Sequence, residues 1–67
     1  MKAKYDIKSD ILYLKISESK PIDSEMVDDD VIVHLDGKGG IVGIEIWRAR
    51  ELILPQFLDL IRHVRSV

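Results

Sequence analysis

The chain contains no cysteine. Disulfide staples and thiolate metal sites are therefore excluded, and a 67-residue domain, near the lower limit for a self-sufficient core, must find its stability elsewhere. Long hydrophobic runs are missing too: nothing approaches the roughly 18 to 20 apolar residues of a membrane span. The opening Met1-Lys2-Ala3-Lys4-Tyr5-Asp6 is not a signal peptide. A cytoplasmic location with no membrane association is the expectation. Charge is not dominated by one sign, since ten Lys and Arg stand against twelve Asp and Glu. No dense basic stripe marks a nucleic-acid binder, and the three aromatics of strand-like stretches, Tyr5, Tyr13 and Trp47, lie near acids rather than in a positive groove.

What is present is a globular composition, 46% hydrophobic and 33% charged, which forms one domain over residues 1–67 and is not disordered. Its richest stretch, Val31 to Trp47, sets two β-branched runs across a glycine-rich turn. Asp36-Gly37-Lys38-Gly39 has the Asp-first, Gly-fourth pattern of a type I turn closed by a left-handed glycine. That register pairs Leu35 with Ile41. It places Val31, Val33 and Leu35 on a face with Ile41, Gly43, Glu45 and Trp47, and Ile32, His34, Val42, Ile44 and Ile46 on the other. Both faces carry large aliphatics, unlike a sheet with one wet face.

Earlier in the chain, Lys2 to Asp6 reads as a lysine-protected edge strand, residues 6–10 as a tight turn, and Ile11 to Ile16 as a second strand with Leu12 and Leu14 on one side and Tyr13 and Lys15 on the other. Ser17 to Asp30, with Pro21 and six acids, reads as an irregular crossover between two hairpins. After Trp47 the period changes. Residues 48–53 suit a short helical turn, and Pro55 suits the first turn of a main helix running to about Arg65. Its apolar arc of Phe57, Leu58, Leu60, Ile61 and Val64 spans about 160°, wider than the roughly 100° stripe one neighbour covers. The expected fold is α+β: a four-stranded antiparallel sheet of two β-hairpins with a C-terminal helix packed on it. One helix about 10 to 12 Å wide cannot shield a sheet some 15 to 20 Å across. A homodimer is therefore expected, with Tyr13, Trp47, Phe57, Leu58, Ile61 and Val64 as the candidate interface.

Tyr5-Asp6, Asp10, Leu12-Tyr13, the Asp36 turn with Gly39, and Gly43-Ile44-Glu45-Ile46 together resemble a family of small prokaryotic proteins, domain of unknown function 2283. Residues 5 to 46 carry the resemblance; His34 stands where an acid is expected, and Trp47 and the helix lie past the pattern. The resemblance implies a compact β-rich fold with a helix, and it brings no catalytic residues or cofactor.

Glu45 is the residue most in need of a partner, a carboxylate between Ile44 and Ile46 on a strand expected to be central. It is either a general base or metal ligand, or a structural carboxylate paired with Tyr13, Arg48, a lysine or a second subunit. Neither His34 nor His63 has a second His or a Cys at ligand spacing. Asp28-Asp29-Asp30 lacks the alternation and glycine of a calcium loop, and Gly37-Lys38-Gly39-Gly40 lacks the spacing of a phosphate loop. No complete metal, cofactor or catalytic constellation is present. The leading reading is a non-catalytic interaction module with itself or an unidentified protein as partner. A small hydrolase or metal-dependent enzyme with a polar site of His34, Asp36 and Glu45 is the rival, and nucleic-acid binding through Arg48, Arg50, Arg62 and Arg65 is a third, disfavoured, reading.

Overall fold

The computed structural model describes the backbone of residues 1–65 and the side chains of residues 1–63. The parts expected of the Val64 and Arg65 side chains thus lie outside the described residues. Five strands precede one helix: β1 (Lys2–Asp6), β2 (Ile11–Lys15), β3 (Asp23–Asp28), β4 (Val31–Leu35), β5 (Ile41–Trp47) and α1 (Ala49–Arg65). They form one antiparallel sheet in the order β1-β2-β5-β4-β3. The α+β class and the two sequence-read hairpins stand, but the sheet has five strands, not four. The fifth lies inside the stretch read as a crossover. Its sequence, Asp23-Ser24-Glu25-Met26-Val27-Asp28, is rich in residues depleted from strands, and every one of its residues is exposed. An acidic strand on an open edge does there what the lysines of β1 do on the other edge: it deters further pairing.

Position in the sheet follows composition. The most apolar strand, β5, is central, with β2 and β4 on either side and the charged β1 and β3 outermost. The Asp36 turn forms as expected: Asp36 Oδ1 accepts from the Lys38 and Gly40 amides at 2.9 and 2.8 Å, and Gly39 has φ +79°. Leu35 also pairs with Ile41. The expected register then fails, because His34 pairs with Gly43 and Val42 becomes the extra residue of a β-bulge. Its carbonyl accepts the Ile16 and Ser17 amides at 2.8 and 3.0 Å, which anchors the exit of β2 to the bulge. Beyond it every side chain changes sides relative to the expectation. Val31 and Val33 now share a face with Ile44 and Ile46, while Ile32 and His34 join Gly43 and Glu45.

The helix begins at Ala49 rather than Pro55 and continues unbroken to Arg65. Between β5 and α1 the chain reverses at Arg48, whose φ of +50° a non-glycine residue adopts only under local constraint. That constraint is Asp10, itself at φ +57°: its carbonyl accepts the Ala49 amide at 3.0 Å and its carboxylate the Arg50 amide at 3.1 Å. The first-turn donors that would otherwise need a local cap are met from the β1–β2 turn. Pro55 then falls in the second turn, where its missing N–H leaves a carbonyl without its helical partner.

The helix meets the sheet at its start. Ala49 is buried, and an apolar groove of about 280 Å³ lined by Tyr5, Leu12, Ile53 and Phe57 marks the junction. Farther along, large apolar side chains stay exposed. Val42, Ile46 and Ala49 are the buried hydrophobic residues among those described. Among the described residues no helix is long and apolar enough to cross a membrane.

Candidate functional site

The bulge at Val42 decides the polar face of the sheet. By turning Glu45 to the side of His34, it brings the Glu45 Oε1 to 3.2 Å from His34 Nε2. The other oxygen, Oε2, accepts the indole N–H of Trp47 at 2.5 Å. Both groups of the His–Glu pair are about three-quarters shielded, with side-chain exposures of 26% and 24%. Tyr13 completes the cluster from β2. It is the cross-strand neighbour of Glu45, its ring lies 5.9 Å from the His34 ring, and its hydroxyl occupies the space above Gly43 that a Cβ would fill. Gly43 is thus the residue that admits Tyr13.

The expected polar trio is therefore half assembled. His34 and Glu45 meet; Asp36 stays in the hairpin turn, its carboxylate satisfied by the Lys38 and Gly40 amides, which hold its pKa below the ordinary value. Of the partners foreseen for Glu45, Tyr13 neighbours it, whereas Arg48 points elsewhere. Arg48 donates to Asp30 from Nε at 3.2 Å and Nη2 at 2.5 Å and reaches Glu51 at 3.3 Å. Arg50 contacts the Asp10 carboxylate at 3.3 Å and the Ile7 carbonyl at 3.4 Å. Two of the four arginines proposed for nucleic acid are thus engaged in holding the helix start; Arg62 is exposed on α1.

Sequence reasoning missed this hinge. Asp10 sits at its centre, receiving the Tyr5 hydroxyl at 2.6 Å as well as Arg50. Those bonds, Tyr5 foremost, hold the Asp10 pKa below the usual carboxylate value, and the same bond raises that of Tyr5. Arg48 lowers Asp30 in the same way. The available signal is the pair Tyr5 and Asp10 among the residues that carry the resemblance, which spacing alone does not connect to a helix nearly forty residues downstream.

The candidate interface splits between two regions. Trp47 is 46% exposed at the end of β5, and Phe57, Leu58 and Ile61 project from α1 at 54%, 46% and 38%. Tyr13 faces the polar side of the sheet instead, among His34, Glu45 and Gly43.

Residues 2–50 match the family described as Protein of unknown function (DUF2283). The chain belongs to that family. The DUF2283 match extends past the sequence pattern and takes in Trp47, Arg48 and Arg50, so the polar cluster and both arginines of the hinge fall inside it. Nearly all of α1 falls outside. No curated protein and no solved structure matches the chain. Within the DUF2283 segment the residues that carry the resemblance have physical tasks: Tyr5 and Asp10 seat the helix, Asp36 and Gly39 make the turn, Gly43 admits Tyr13, and Glu45 bridges His34 and Trp47.

Proposed function

We propose that this protein is a non-catalytic interaction module that works as a homodimer, joined through the apolar side of α1 and the groove where α1 leaves the sheet. The observation that carries this reading is the imbalance of burial. Among the described residues three apolar ones are buried, while Ile53, Leu54, Phe57, Leu58, Leu60 and Ile61 all lie between 38% and 59% exposed along one helix. At 100° per residue these six occupy one continuous arc, which a chain cannot cover with its own sheet once the helix has run past it. Full burial of such a side chain is worth about 1.5–3 kcal/mol, so covering six half-exposed ones gives on the order of 4–9 kcal/mol before association costs. Exposed patches of this kind on soluble proteins mark contact surfaces.

Light scattering coupled to size exclusion at about 100 µM tests it. The expected mass is twice that of the 7.7 kDa chain, and the double variant Phe57→Asp/Ile61→Asp returns to the monomer with its strand signal intact. A wild-type chain that elutes as a monomer at that concentration overturns the reading.

A second reading rests on the His34–Glu45 contact, because a carboxylate that fixes an imidazole is one part of many acid–base sites. The opening beside it, lined by Pro21, Ile22, Asp23, Ser24 and His34, has a volume of about 370 Å³. This reading predicts hydrolysis of an activated ester that is abolished by His34→Ala; no hydrolysis above buffer rates removes it.

A further inference from the structure

On the same face as Tyr13, at the β1 edge of the sheet, the segment following β2 folds back over the strands and encloses a groove of about 450 Å³. Its walls carry Lys2 and Lys4 from β1, Lys15 from β2 and Lys20 from the connecting segment, with Tyr13 and Pro21 supplying apolar surface between them. We propose that this groove is a binding site for a phosphate-bearing small molecule.

Three observations carry the assignment. The first is local charge against the background. The chain as a whole is net −2, and its first 36 residues hold nine acids to five lysines, yet four of those five lysines line one groove. Glu18 is the one acid on the wall and it is spent on Lys15, at 2.9 Å. Among the described residues Lys2, Lys4 and Lys20 have no ion-pair partner.

The second is where the lysines sit. Lys2 and Lys15 are direct cross-strand partners, an arrangement of like charges that weakens a β ladder. Edge protection accounts for Lys2 and Lys4 on β1. It does not account for Lys20, which is on no strand, nor for Lys15, on a strand paired on both sides, whose charge Glu18 only offsets one for one. An anion seated between them would turn the repulsion into attraction.

The third is shape. About 450 Å³ is within the range of small-molecule sites, and Tyr13, Pro21 and Val42 give the groove apolar lining beside its lysines. Lysines brought to one groove from three segments suit a compact, multiply charged head such as a phosphate, which lysine binds as a point charge. The Tyr13 and Pro21 surfaces suit the organic body of the molecule.

The site is independent of the proposed dimer, whose surface lies on α1. Calorimetric titration of the full chain with inorganic pyrophosphate at about 20 mM NaCl tests it. The expected result is saturable binding with one site per chain, weakened at least tenfold in Lys4→Glu/Lys20→Glu and less than threefold in Lys8→Glu/Arg62→Glu, which makes the same charge change away from the groove. Absence of saturable binding up to about 10 mM overturns the proposal, as does equal weakening in both double variants, which would mark a diffuse field. As a check that needs no variant, the amides that shift on titration of the wild type are those of residues 2–4, 13–20 and 42; shifts confined elsewhere also overturn it.

Discussion

Gly43 and Tyr13 form a coupled pair. A Cβ at position 43 would overlap the Tyr13 hydroxyl and press on the Leu14 carbonyl. Gly43→Ala is therefore expected to cost about 1–3 kcal/mol in urea unfolding, as overpacking usually does. The double variant Tyr13→Ala/Gly43→Ala should lose clearly less than the sum of the two single changes. Glu45 offers a second test through the single tryptophan. With Glu45→Ala the indole N–H loses its acceptor, so Trp47 emission should move to longer wavelength with a stability loss of about 1 kcal/mol.

Acid sensitivity follows from the aspartates. Asp6, Asp10, Asp30 and Asp36 are all held below their ordinary pKa, by Ser9, Tyr5, Arg48 and the Gly40 amide respectively as the leading causes. The folded state thus binds fewer protons than the unfolded one near pH 4, so their contribution is present above the ordinary aspartate value and is lost as pH falls through the lower folded values. Tyr5 works at the other end: its raised pKa keeps the hydroxyl protonated, and its contribution is lost above about pH 10. Urea midpoints should be flat between pH 5 and 9 as far as these groups are concerned and fall on both sides.

Elements were legible in the sequence where one local signal decided them. The Asp36 turn and the first hairpin could be read because side-chain to backbone bonding within a few residues specifies them. Three features could not. β3 is a strand by virtue of its pairing with β4, against its own composition. The bulge at Val42 is set by the docking of residues 16 and 17 on its carbonyl, a contact between distant segments. The start of α1 is set by Asp10, which is why Pro55 misled: it looked like a first-turn proline, and the true first turn is capped from another loop. The polar site was half readable, since Glu45 clearly needed a partner but the bulge alone determines that it is His34. Two variants test the helix account. Asp10→Ala should reduce ellipticity at 222 nm, as the Arg50 amide and guanidinium lose their carboxylate acceptor; Pro55→Ala should increase it, by restoring a hydrogen bond and removing a residue that costs up to about 3 kcal/mol inside a helix.

For the molecule as a whole, the exposed arc of α1 makes stability depend on concentration if the dimer forms as proposed. Thermal midpoints should rise with protein concentration for the wild type and be constant for Phe57→Asp/Ile61→Asp.

The strand order has a consequence for the birth of the protein. β5 lies in the middle of the sheet but leaves the ribosome after all the other strands. Until residue 47 has emerged, the two earlier ribbons have nothing to join them, and each is an isolated pair of the sort that barely persists in water. The nascent chain therefore consolidates in one late step, and a stalled product ending in the Asp36 turn would be a target for proteases throughout its length.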